Sequence, residues 1–441
     1  MEFETFHTSV DASASPTIAP VRLLAGFLDG FQMGARPTQE RLLRTLGLLA
    51  VLTLSVLPLR ANAIGTLLFI GTDSAGHPYL PSWQDHSGTW HAGKLLPNPG
   101  GNYHDVQFCP GEGNTTQAVG LDSNGNTWLI SWEDTGGYWH SGFQLPGIKV
   151  NFSSIVMGQG ANGLVQVIGL DAAGRVYLAN WQDANGNWWA GTADTGGVSA
   201  NGQLNANVGF SSLSLGLSLQ NGATVFNVYG INSSGQPVTI CTQSNSSSPD
   251  WKWTSGSKLP NWGGYQLRVI TSSVEETNTL PNLILGLKQS GSGDLVYPCY
   301  QTSSGAWRVG GTLPGNQIDY TAFSVTAGLN STRQVVGLDT SGRPYLASWQ
   351  DHSGKFHAGF SLSGPVAAFD TIAAAMGSDG HLQVVGLDTN GSPNLICWQN
   401  PVFSEQYPDG KFVTGFLLPN PGVPLENLVV GNAGNTANMH L

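Results

Sequence analysis

The chain has 441 residues, of which only 10% are charged and 59 are Gly, far from the roughly 25% charge of an average soluble domain. Aromatics reach 10%, with 14 Trp, which excludes a disordered chain. The net charge is -11 and no Lys/Arg run follows residue 63, so nucleic acid and anionic membrane surfaces are poor partners, and none is expected.

Residues 1–63 read as an N-terminal extension and secretory signal peptide. Arg36, Arg41 and Arg44 precede an apolar stretch from Leu46 to Leu59, and Ala61-Asn62-Ala63 closes it. A positive region, a short apolar core and an A-x-A site describe an export signal, and the core is too short for stable membrane insertion, which takes about 20 residues. Translation from Met33 leaves a signal of ordinary length. The mature chain is expected to be secreted.

From Ile64 onward one pattern recurs. "FIGTDSAG", "AVGLDSNG", "VIGLDAAG", "VYGINSSG", "ILGLKQSGSG", "VVGLDTSG" and "VVGLDTNG" place Gly71, Gly120, Gly169, Gly230, Gly286, Gly337 and Gly386 in register. Around each, four short segments alternate apolar and polar residues with a period of two, the signature of strands. In "FSSIVMG", "GLVQVIGLD", "RVYLANWQD" and "NWWAGTA" they are strands a, b, c and d. About 50 residues and four strands per unit is the arithmetic of a propeller blade.

The two ends supply a further sign. Ile64 begins in a strand b, so the first repeat lacks its strand a. The chain ends on "LENLVVGNAG", a strand a with no strand b after it. The expected fold is all-β: a seven-bladed β-propeller of four-stranded blades over residues 64–441. The C-terminal strand completes the first blade, with Val429 beside Leu68.

Asp73, Asp122, Asp171, Asp339 and Asp388 fall in the b–c turn. Their spacing does not match a calcium loop, so they read as turn braces rather than metal ligands. Asp85, Glu133, Asp134, Asp183 and Asp351 fall in the c–d turn. Recurring by repeat, they spread around a ring instead of converging as a catalytic pair. No nucleophile elbow, zinc-protease helix or phosphate loop is present, and the chain reads as a non-enzyme with no cofactor and no metal. Cys241, Cys299 and Cys397 occupy the small-residue slot that holds Ser82, Ser131 and Ser348. Such positions lie too far apart for bridges and predict free buried thiols.

The candidate ligand residues are at the end of strand c and the start of strand d. Trp83, Trp132, Trp181, Trp349 and Trp398 recur on strand c. Gln84, Gln182, Gln350 and Gln399 follow, with Glu133 in blade 2. Aromatic residues open strand d, followed by His91, His140 and His357. Blade packing explains the strand d aromatics. A Trp with a neutral amide and an imidazole beside it also suits a sugar ring, which needs an apolar platform and uncharged hydrogen bonds.

Blades of the form G-x-L-Q-V-V-G-L-D-x-x-G-x-x-Y-L-x-x-W-Q-D-x-x-G-x-W-x-x-G-x-x-L-P resemble the seven-bladed β-propeller lectins of the Photorhabdus lectin type and, more distantly, tectonin repeats. That resemblance runs from Ile64 to Gly434. It implies multivalent binding of fucosylated or methylated sugars in pockets between blades, so the expected partners are glycans or glycoconjugates. Carried over by position, the implied site residues are Trp83, Gln84 and His91 in the first repeat and Trp349, Gln350 and His357 in the sixth. Two rivals to a multivalent lectin are weighed: a protein-interaction scaffold built on the insertions at 192–209 and 244–252, and a carbohydrate-active enzyme, which needs acids unique to one blade.

Overall fold

The computed structural model describes residues 66–432, apart from 161–162, 192–201, 206–208, 221–222, 245–252, 274–281, 290–292, 303, 316–317, 329–331, 352, 379 and 401–410. The signal segment and most of both insertions lie outside the described residues. The described strands form seven four-stranded antiparallel sheets. In chain order, the b, c and d strands of blade 1 are Leu67–Thr72, Pro78–Gln84 and Trp90–Leu95. Blade 2 runs Tyr103–Pro110, Thr116–Asp122, Thr127–Glu133 and Trp139–Gln144. Blade 3 runs Phe152–Gln159, Val165–Asp171, Val176–Gln182 and Trp188–Ala190. Blade 4 runs Ser212–Gln220, Ala223–Ile231, Pro237–Ser244 and Trp253–Ser255. Blade 5 runs Leu267–Ser273, Asn282–Lys288, Leu295–Gln301 and Trp307–Thr312. Blade 6 runs Tyr320–Ala327, Arg333–Asp339, Pro344–Gln350 and Phe356–Ser361. Blade 7 runs Ala373–Met376, Leu382–Leu387, Pro393–Asn400 and Lys411–Leu417.

The last strand, Val429–Asn432, is strand a of blade 1 and closes the ring. It pairs antiparallel with Leu67–Thr72, Leu68 opposite Gly431 and Ile70 opposite Val429. Val429 therefore lies two residues from the expected register. A two-residue slip keeps every side chain on its own face, so closure is unaffected.

Apolar clusters run from blade to blade around the ring. Leu68 and Ile70 of blade 1 join Phe108 and Ile130 of blade 2, and Val119 joins Ile155 and Val167 of blade 3. Ile168 joins Leu215 and Phe226 of blade 4, and Tyr229 joins Ile270 and Ile284 of blade 5. A last cluster carries Leu285, Val335, Val385 and Phe69 through blades 5, 6 and 7 back to blade 1. Each blade thus buries both faces.

Both hairpin turns are built alike. Asp122 Oδ1 accepts the backbone N–H of Asn124 and Asn126, both at 2.9 Å, and Asp85 Oδ1 does the same for Ser87 at 2.8 Å and Thr89 at 3.0 Å. These are Asx-braced turns, as expected of the b–c Asp residues, and the c–d acids repeat the brace. All four cysteines are free and buried, and burial pushes the thiols of Cys241, Cys299 and Cys397 up.

Every blade also carries an irregularity in the pairing of strands b and c. A strand d Gly lies against it in all seven blades. A Cβ on Gly142 would collide with Leu129 O, and one on Gly359 with Leu346 O. This is why G follows W-x-x in the repeat: the bulged strand leaves no room for a side chain.

Candidate functional site

Alternation puts the Trp and Gln of strand c on opposite faces of the blade. Trp83 packs against the cluster shared by blades 1 and 2, which holds Phe108 and Ile130, so it faces the following blade. Gln84 is 1% exposed and faces the preceding one. Its Oε1 accepts from Ser378 N at 3.1 Å and Gln383 Nε2 at 2.9 Å, both in blade 7, and its Nε2 donates to Gly88 O at 3.0 Å. Gln182 repeats the scheme, accepting from Glu112 N of blade 2 at 3.2 Å and donating to Gly186 O at 3.2 Å. Gln350 donates to Gly354 O at 2.8 Å and accepts from Arg333 Nη1. Gln399 is likewise buried. The expectation that these amides stand ready for a ligand therefore meets a different arrangement: Gln84, Gln182 and Gln350 clasp their own hairpins, and in blades 1 and 3 the clasp reaches the neighbouring blade.

The opposite face carries the candidate site. Across strands b, c and d, blade 2 aligns Gln117, Trp132 and His140. Blade 6 aligns Gln334, Trp349 and His357, and blade 1 aligns Leu68, Trp83 and His91. The imidazole lies flat on the indole in all three: 4.3 Å and 19° for Trp83–His91, 4.4 Å and 25° for Trp132–His140, 4.1 Å and 14° for Trp349–His357. The c–d turn acid fixes the far side of each ring. Nε2 lies 2.8 Å from Asp85 Oδ2 in His91, 2.7 Å from Asp134 Oδ2 in His140, and 2.7 Å from Asp351 Oδ2 in His357. A carboxylate accepts, so Nε2 carries the proton.

Burial pushes the Asp85 carboxyl up, but hydrogen bonds from His91, Ser87 and Thr89 outweigh it and hold the group down at about 2. Asp351 is lowered by the same balance, with His357, Ser353 and Lys355 as donors. These acids stay ionised and tied to the hairpin, which suits positioning and not proton delivery.

The strand c Trp is consequently not an open platform, since His covers one of its faces. The half-exposed imidazole is the outermost ring of the stack. Blade 3 builds the same row with Gln166, Trp181 and Trp189. There Trp189 replaces His, stacks at 6.2 Å and 24°, and donates Nε1–H to Asp183 Oδ2 at 3.0 Å. It is 49% exposed, a bare indole on the surface. In blade 7, Trp398 lies opposite Val413 with Phe416 edge-on at 6.4 Å. Blades 4 and 5 have Thr242 and Tyr300 instead of Trp.

Between blades 2 and 3 the row opens onto a cavity of about 430 Å³, lined by Gln117, Trp132, Phe143, Gln182, Asn185 and Trp188 among others. Phe143 is 49% exposed. Sequence reasoning missed Gln117 and Phe143; the Q of L-Q-V-V-G was the available signal for the first. The strand d aromatics Trp139, Trp188 and Trp253 are buried, as packing predicts.

A second cavity, about 540 Å³, lies between blades 7 and 1 and is lined by Asp73, Asp370, Asp388 and Glu426. Asp73 and Asp388 are spent on their turns, each accepting two backbone N–H groups. Burial, then the charge of Asp388, raises Asp370. Among the described residues no group of three His, Cys, Asp or Glu could hold a metal ion, and no helix is long and apolar enough to cross a membrane.

No family model matches the chain, and no curated protein does. Among solved structures it is similar to the Aleuria aurantia lectin in complex with α-methyl-L-fucoside, at 14% identity over 72% of this chain and 96% of that one, TM-score 0.42. It is similar to AofleA of Arthrobotrys oligospora at 14% identity over 76% and 91%, TM-score 0.41. The α-L-arabinanase of Penicillium chrysogenum with arabinobiose follows at 13% identity over 64% and 87%, TM-score 0.39. Likenesses at this level carry no argument about ligand.

Proposed function

We propose that the protein is a multivalent carbohydrate-binding propeller, a lectin of the Photorhabdus lectin kind, secreted and without catalytic activity. Neutral sugars, fucosylated or methylated ones first, are its ligands, taken in the grooves between blades. One observation carries the reading: a row of ring-on-ring stacks, each oriented by its own turn acid, repeats on the same face of blades 1, 2, 3 and 6 and opens in blade 2 onto a ligand-sized cavity. Apolar rings with neutral hydrogen-bonding rims suit a sugar's C–H face and hydroxyl edge. The binding residues proposed are Trp132, His140, Phe143 and Trp188 in the groove between blades 2 and 3, and Trp83, His91, Trp349, His357, Trp181, Trp189 and Trp398 in the related ones. Gln84, Gln182, Gln350 and Gln399 set the spacing of the walls.

The grooves that carry a strand c Trp follow blades 6, 7, 1, 2 and 3, one continuous arc. Blades 4 and 5 contribute none. Weak sites on a rigid arc gain avidity on a surface that presents many copies of one glycan.

A glycan array probed with the purified protein tests this, followed by titration of a hit against Phe143→Ala. Phe143 is exposed, so stability should change by no more than about 0.5 kcal/mol, while the number of sugars bound per chain falls. Even binding to unrelated proteins on the array, with no glycan retained, favours a protein-interaction scaffold. Release of free sugar favours an enzyme.

A further inference from the structure

Position 133 departs from the most regular polar feature of the ring. Six blades carry Gln at the last or next-to-last residue of strand c, and blade 2 carries Glu133 there. Four of those amides donate Nε2–H into their own c–d turn: Gln84 to Gly88 O, Gln182 to Gly186 O, Gln301 to Gly305 O and Gln350 to Gly354 O. Their Oε1 atoms accept from strand b or from the preceding blade. Glu133 fills the same slot and is 0% exposed. Its Oε2 accepts from Thr116 Oγ1 at 2.9 Å, the strand b position that Asn282 and Arg333 hold for Gln301 and Gln350. Its Oε1 is buried and has no hydrogen-bond partner among the described residues. That oxygen takes the place of Nε2. Four residues on, as Gly88 is from Gln84 and Gly186 from Gln182, the carbonyl that the pattern pairs with it is Gly137 O. A carboxylate would set two acceptors against each other there, whereas a carboxylic acid has the proton the turn needs.

We propose that Glu133 is held as the neutral acid, donates Oε1–H to the carbonyl of Gly137 as the Gln amides do elsewhere, and by that proton positions the hairpin carrying Asp134 and His140. Glu133 is a positioning residue; it does not touch ligand. The device goes beyond sugar binding, because it acts on the hairpin with or without a ligand.

The surroundings agree. Strand b offers Thr116 and strand d offers Trp139, each directly opposite Glu133. On its own hairpin the charged groups are Asp134 and its partner His140. The facing wall of blade 1 carries Asp85 with His91, and Leu68 stands where blades 2, 3, 6 and 7 have a Gln. Among the described residues no Lys, Arg or His pairs with Glu133. Burial pushes the carboxyl up, the Thr116 hydroxyl lowers it, and the charge of Asp134 raises it further, to about 7. A folded value above the unfolded one means the folded chain binds the extra proton. The stabilisation is complete below the ordinary carboxylate range and is lost as pH rises through about 7.

Thermal melts of the full chain from pH 5 to 9, with and without Glu133→Gln, test the proposal. The substitution installs the residue that six other blades already carry. The wild type should lose about 4 °C between pH 5 and pH 8 relative to Glu133→Gln. Parallel curves, or a Gln variant less stable than wild type at pH 8, overturn the proposal. Carbon-13 labelling of Glu side chains gives a second readout on the wild type alone. Titration of Glu133 near neutrality is the expected result, and titration in the ordinary carboxylate range contradicts it. Neither measurement involves a sugar, so the failure of one reading leaves the other standing.

Discussion

His357 shows how much a single side chain can hide. Its identity suggested a hydrogen-bonding group beside an open Trp. In the structure it is the lid of that Trp, held flat by Asp351. The sequence contained all three residues, yet the stack depends on which strand d residue lies opposite Trp349, and that register was not legible from the repeat. Asp351→Ala removes the brace from two backbone N–H groups and frees the imidazole. The expected cost is about 1–3 kcal/mol, with weaker sugar binding in the groove after blade 6, measured by denaturant melts and by titration. The glycines separate into two kinds at this scale. Gly186 sits at φ 83° in open space, so Gly186→Ala costs about 1–2 kcal/mol of backbone strain. Gly359 lies against Leu346 O, and Gly359→Ala must push strand d off strand c. That variant should lose well over 3 kcal/mol or fail to fold, and urea denaturation of the two side by side checks the order.

At the scale of the element, strand c is where sequence and structure part company. Alternation says that Trp and Gln face opposite ways. It does not say which faces the following blade, because that is set by the direction in which the ring is wound. Gln84 therefore looked as available as Trp83. It is instead a clasp that joins blade 1 to blade 7 through Ser378 and Gln383. Gln84→Leu leaves buried donors of both residues without their acceptor, a loss of about 1–3 kcal/mol for each group stranded. The cooperative unfolding transition of the variant should move to lower urea by that amount, with the slope unchanged. An unchanged midpoint would mean that the blade seam does not depend on the clasp.

The whole ring was the most legible part. Repeat length and strand count pointed to propeller blades and the two unmatched ends to closure by the last strand, and the sheet order agrees. Register was less legible by two residues, because the pleat tolerates that slip without exposing anything. Cutting the chain after Pro424 should leave Leu67–Thr72, buried along its whole length, as an unpaired apolar edge. A shift of the truncated chain into aggregates on gel filtration is the expected outcome, and elution and melting unchanged from the intact chain would show that closure is dispensable. The candidate site was the least legible feature, since the Trp–Gln motif mixes a wall of the proposed groove with the clasp behind it. The most direct measurement is a crystal of the protein soaked in α-methyl-L-fucoside. Our account places the sugar between blades 2 and 3, against Phe143, Trp188 and the edge of Trp132, with related density along the arc from blade 6. Sugar seated in the central channel or at blades 4 and 5, with the arc empty, would contradict it.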